Sequence, residues 1–154
     1  MQEGRIDLDE RAGPLAFNLG SILLGQGATG EAVANFQCAA TCYKRLLDKG
    51  ASQYRLPFAD ARDKLGACLL SQGALQPLPG ASRPDYLAEA TAALREAIAL
   101  FEQMIQEGHR ELRHILAASK HNLDLVSRGG KGEIKIIPAP PLQPPRKRSW
   151  WQFW

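Results

Sequence analysis

The residues of this 154-residue chain that could do chemistry are few: three histidines, three cysteines, and a lysine that follows two aspartates. His114 and His121 stand seven apart and share one face of a predicted helix, a spacing that two metal ligands could use. No acidic residue or cysteine stands at a spacing that completes a ligand set, and His109 lies apart, so no metal is expected. Cys38 and Cys42 are one helical turn apart in an apolar stretch, and Cys68 follows alone. Without a CxxC or a second pair, they read as buried free thiols of a reducing compartment. No glycine-rich phosphate loop follows a strand, no strand pattern exists, and no nucleophile has an evident base. The expectation is a protein without enzymatic activity and without a cofactor.

What those residues lack in catalytic pattern, the chain supplies in repetition. LGSILLGQG at 19–27 returns as LGACLLSQG at 65–73, and EAVANFQCAATCYKRLL at 31–47 returns as EATAALREAIALFEQMI at 89–105. Two helix-like segments recurring in one order predict stacked helical hairpins. Residues 1–13 are charged and read as a flexible N-terminus. Pro14 suits the first turn of a helix, with Leu15, Leu19, Ile22 and Leu23 as its apolar stripe. A second helix is predicted from about Gly30 to Lys49 and a third from about Pro57 to Gly73. Pro77, Pro79, Gly80 and Pro84 make 74–88 a loop inserted into the second copy, where extra length costs little. A fourth helix is predicted from about Pro84 or Asp85 to Gly108, with Asp85 as a candidate cap. A fifth runs from about Arg110 to Arg128, with Leu112, Ile115, Leu116, Ser119, Leu123 and Val126 on one side.

These residues resemble the tetratricopeptide repeat family. The first unit carries Leu19, Gly20 and Leu23, then Ala32, Phe36 and Ala39. The second carries Leu65, Gly66 and Leu69, then Ala90, Leu94 and Ala97. A third begins at Leu123, but Asp124 stands where the glycine would be, so the fifth helix reads as a polar terminal cap. The resemblance covers about residues 14–128. It implies an all-α fold, a short right-handed helical-hairpin repeat of about five helices. Residues 129–154 read, from their prolines, as an extended, disordered Pro-rich C-terminal tail.

The resemblance further implies a groove lined by side chains of the first helix of each hairpin. Here those are Phe17, Asn18, Ser21, Lys64, His121 and Asn122, together with Leu24, Asp60, Asp63, Ala67, Ala118 and Leu125. An asparagine offers one donor and one acceptor, so Asn18 and Asn122 suit an extended peptide backbone. Only Lys64 is available to meet a carboxylate, with Asp60 and Asp63 against it, so a C-terminal carboxylate clamp is not expected. The function implied is a protein–protein adaptor or scaffold that takes a peptide or partner helix in its groove.

The tail supports a second reading. Five basic residues from Lys131 onward face one Glu133, so the net charge of +3 resides mainly there. Such a distribution does not suit a nucleic-acid-binding domain. Arg146, Lys147, Arg148, Trp150, Trp151, Phe153 and Trp154 form a basic-aromatic end suited to a protein groove, an anionic membrane surface or the chain's own groove. The alternative function is therefore a peripheral membrane or assembly factor localised by its tail. A repeat this short also favours self-docking or homo-oligomerisation. No apolar run suggests a signal peptide or a membrane span, so the expected location is cytoplasmic, peripheral at most.

Overall fold

The computed structural model describes residues 8–75 and 83–140, with side chains described for 8–72 and 86–140. Among the described residues there are five α-helices: α1 (Leu8–Gly25), α2 (Thr29–Asp48), α3 (Arg55–Leu75), α4 (Arg83–Gln106) and α5 (Arg113–Ser127). Single turns of 3-10 helix, Ser52–Tyr54 and Arg110–Leu112, lead into α3 and α5. No strand occurs among the described residues, and each helix packs mainly against its neighbours in sequence. The expected all-α class is the observed one. Among the described residues no helix is long and apolar enough to cross a membrane.

Two helices extend past residues expected to bound them. Pro14 lies inside α1, which begins at Leu8, so residues 8–13 are helical rather than part of a flexible end. Both Pro14 and Glu10, whose carbonyl Pro14 leaves unbonded, face water, which can serve that oxygen. Pro84 occupies the first turn of α4, where a missing N–H costs nothing, and the helix opens at Arg83, close to the start expected at Pro84 or Asp85. α3 likewise starts at Arg55, ahead of Pro57, and runs past Gly73 to Leu75.

Small residues set how closely the helices approach. Phe36, Leu65, Leu69, Ala32 and Ala90 are buried together in one cluster. Phe101, Met104, Leu112 and Ile115 form a second with Ala59 and Ala97. At Gly66 an added Cβ would lie 2.6 Å from Leu94 Cγ and 3.3 Å from the Ala90 carbonyl oxygen. Neither is the free end of a flexible side chain, so α3 and α4 must separate to admit even a methyl group. Gly66→Ala should lower stability by about 1–2 kcal/mol, the overpacking cost outweighing the helix propensity gained. Gly20→Ala meets only the edge of the Phe36 ring, at 3.1 Å, and should cost less. Urea unfolding of the two variants checks the order, and equal stabilities would contradict this packing.

Of the stripe predicted for α1, only Leu23 packs against the core, where it is half-buried. Gly13, Ala16 and Gly20 face the core, while Leu15, Leu19 and Ile22 are exposed. The reason is the size of the α2 side chains. The Tyr43 and Phe36 rings press against Gly13 and Gly20, which leaves room for small residues only on that face.

Candidate functional site

α1, α3 and α5 turn a common face toward the segment that follows α5. Three glycines direct that segment: Gly129, Gly130 and Gly132 have φ of 74°, 78° and 140°, in the left-handed region that other residues rarely enter. The chain reverses there, and residues 133–140 run back without regular secondary structure over α5 and α3. The tail predicted as disordered from 129 onward is thus packed against the helices as far as Pro140. Ile137 and Ala139 lie against the cluster built on Phe101 and Ile115.

The segment is held through its backbone. Asn122 Nδ2 donates to the Lys135 carbonyl at 2.6 Å, and the Lys135 N–H donates to Asn122 Oδ1 at 2.8 Å. One amide side chain thereby satisfies both backbone groups of one residue, and Asn122 is 0% exposed. His121 Nε2 lies 2.8 Å from the Glu133 carbonyl oxygen. A carbonyl only accepts, so the ring donates from Nε2. Lys64 Nζ donates to the Ile137 carbonyl at 3.3 Å. Grips at Glu133, Lys135 and Ile137 recur every second residue, the period of an extended chain.

Beneath the segment lies a buried polar layer. Lys64 pairs with Asp60 one helical turn earlier, with both side chains nearly inaccessible. Its ammonium also sits 5.6 Å from the centre of the Phe17 ring, within cation–π range. Burial raises the Asp60 carboxyl above its ordinary value, and the Lys64 charge pulls it back. Asp63 accepts from the Ser119 hydroxyl, which also lies 3.0 Å from the Ile115 carbonyl.

Burial pushes the Asp63 carboxyl up to about 6, with the Ser119 hydrogen bond and the Lys64 charge opposing and Asp60 assisting. The folded state therefore holds a proton that the unfolded chain, at its ordinary 3.8, has released. Stability from this group is present at low pH and is lost as pH rises through the interval from about 4 to about 6. The gap is worth about 3 kcal/mol. Asp63→Asn removes the titration. Its stability should fall less between about pH 4 and pH 7 than that of the parent chain, as urea unfolding at the two pH values would show.

Phe17, Lys64, His121 and Asn122 thus gather around the returning segment. Phe17 joins Tyr43, Leu56 and Asp60 around a pocket of about 390 Å³ beside Ala139 and Pro140. Ser21 instead donates to the Phe17 carbonyl within its own helix at 3.0 Å, and Asn18 is exposed. Asp60 pairs with Lys64, and Asp63 turns to α5. Of the face predicted for the fifth helix, Leu112, Ile115 and Ser119 are buried, and Leu116, Leu123 and Val126 are only half-buried. Ala118, Asn122 and Leu125 complete the buried row. Arg146, Lys147, Arg148, Trp150, Trp151, Phe153 and Trp154 lie outside the described residues.

The thiols and imidazoles show no reactive arrangement. Cys38, expected to be buried, is exposed because its turn of α2 faces away from α1 and α3. Cys42 and Cys68 are buried, which pushes their thiols up to about 11 and about 12. They rest as thiols rather than nucleophilic thiolates at neutral pH. His114 is exposed, while His109 pairs with Glu111 at 3.4 Å. Sequence reasoning missed Ser119 as the partner of Asp63, and Ile137 and Ala139 as anchors. The apolar run Ile134, Ile136 and Ile137 in an otherwise polar and Pro-rich tail was the available signal.

Comparison of the chain with protein-family models, with curated proteins and with solved structures returned no match.

Proposed function

We propose that this chain is a non-enzymatic adaptor. It takes an extended peptide across the face of α1, α3 and α5, and its own residues 133–140 lie there as an internal ligand that a partner must displace. The observation that carries the reading is the pair of hydrogen bonds between Asn122 and the backbone of Lys135. They read main chain rather than side chain, so a segment of another protein can replace Lys135 without matching its side chain, which points to solvent. Side-chain selection falls to the places of Ile137 and Ala139, which meet apolar surface. The partner expected is an extended segment with aliphatic residues or proline at those places.

The same reading takes the helices as a short tetratricopeptide-like stack. Support comes from the close approaches at Gly20 and Gly66 and from the buried Ala32, Ala39, Ala90 and Ala97 facing them. Self-occupancy has a quantitative consequence. A tethered segment acts at an effective concentration in the millimolar range, so it weakens a competing peptide by roughly 10–100-fold if that peptide binds intrinsically at ~10–100 μM.

A fluorescent peptide of residues 131–140, titrated into the full chain and into a chain ending at Gly130, tests this. The shortened chain should bind it ~10–100-fold more tightly, and Asn122→Ala in the shortened chain should abolish binding. Absence of binding to the shortened chain, or equal affinity for both, would contradict the proposal.

A further inference from the structure

α1 turns a row of apolar side chains to solvent. Leu8, Leu15, Leu19 and Ile22 are 81%, 71%, 45% and 58% exposed, and Ala12 lies half-buried between Leu8 and Leu15. Positions 8, 12, 15, 19 and 22 step by four, three, four and three. That is the seam of a coiled coil, narrower than the stripe by which a helix packs on a globular core. The spacing identifies the kind of surface that covers it, namely one other helix lying along α1.

The charge pattern narrows the choice of helix. From Ala12 to Gly30 the chain has no charged residue, so most of the seam has no ion to offer a charged partner. Asp9, at its start, is engaged by Arg45 and Lys49 of α2. A lipid-facing helix would carry lysines and arginines along its polar side, and α1 has only Arg11. Two uncharged seams, by contrast, meet without like-charge repulsion. α1 packs mainly on α2, and among the described residues no other helix lies along its exposed apolar row.

We propose that α1 is a self-association surface, on which α1 of a second copy packs antiparallel about a two-fold axis. In that register Leu15 faces the partner's Leu19, and Ile22 faces the partner's Ala12, large against small. Each helix N-terminus lies near the other's C-terminus, where the dipoles attract. The contact is the same on both copies, as a closed dimer requires. A seam from Leu8 to Ile22 is about 21 Å long at 1.5 Å per residue. A contact this narrow, one helix of each copy, makes the dimer reversible, with a Kd of roughly 1–100 μM.

Sedimentation equilibrium of the full chain from about 5 to 500 μM tests this. The expected result is a monomer–dimer equilibrium that the double variant Leu15→Glu with Leu19→Glu abolishes, while the helical circular dichroism spectrum and melting temperature persist. Ile22→Lys, at the far end of the same row, gives a second variant that should weaken the dimer at least ~10-fold. A full chain that stays monomeric throughout, or a dimer that survives both variants, overturns the proposal. The full chain with Trp150, Trp151 and Trp154 changed to serine should still dimerise. If it becomes monomeric, the aromatic end rather than α1 makes the contact. If the α1 variants instead abolish binding to phosphatidylserine vesicles and leave the dimer intact, α1 faces lipid.

Discussion

Phe36→Ala should lower the stability of the chain by about 3–5 kcal/mol and its melting temperature by roughly 10–15 °C. Phe36 is fully buried and, with Tyr86, supplies the aromatic bulk of the cluster that joins α2 to α3 and α4. Its ring meets Phe17 edge-on, with centroids 5.5 Å apart, and covers the bare backbone of Gly20. Gly20, which the ring covers, has no side chain with which to fill the space if the ring is lost. The cavity therefore stays open, which places the cost at the upper end for aromatic truncation. Phe17 loses its support at the same time, and Phe17 carries the cation–π contact of Lys64 and lines the pocket beside Ala139. The variant should thus loosen the groove as well as the core. Denaturant unfolding checks the first effect, and a loss below about 1 kcal/mol would mean that Phe36 is not central to the packing.

Asn122→Ala should free the returning segment while leaving most of the helical stack in place. Two hydrogen bonds to Lys135 disappear together. Each is worth about 1 kcal/mol net, and the freed backbone groups of Lys135 regain water only if the segment leaves the groove. The remaining grips, from His121 and Lys64, hold Glu133 and Ile137 by single hydrogen bonds. The opening equilibrium should shift by about 2–3 kcal/mol, or roughly 30–150-fold in the population of the open form. Trypsin reads this at Lys135, where cleavage should quicken by a comparable factor when opening is fast relative to cutting. The melting temperature should change far less than in Phe36→Ala, since Lys135 contributes no core side chain. Unchanged proteolysis would mean that Asn122 does not hold the segment.

Some of this architecture is legible in the sequence. The recurring Leu-Gly and Ala spacings mark where α1 meets α2 and α3 meets α4, because close helix contacts need small residues at those intervals. Asn122 is legible as a backbone-binding residue because only a side-chain amide offers both a donor and an acceptor. The α1 stripe is not, because hydrophobic periodicity favours large side chains, whereas the buried face is small and its bulk comes from Tyr43 and Phe36 on α2. Lys64 and the two aspartates are legible as a charged group, but their separation into Lys64–Asp60 and Asp63–Ser119 depends on α5, 56 residues beyond Asp63. The seating of Ile137 is hidden for a different reason. Prolines and charges around it make the tail resemble a free one, and only the left-handed glycines at 129, 130 and 132 reveal that the chain turns back.

In the proposed function, the face of α1, α3 and α5 is a peptide site holding a displaceable segment of its own chain. Residue-resolved hydrogen exchange of the Lys135 amide in the full chain, with and without excess peptide of residues 131–140, decides this. The amide should exchange at least ~10-fold more slowly than in an unstructured chain, and added peptide should return it toward the unstructured rate. Exchange at the unstructured rate from the start, or protection that excess peptide leaves unchanged, would contradict it.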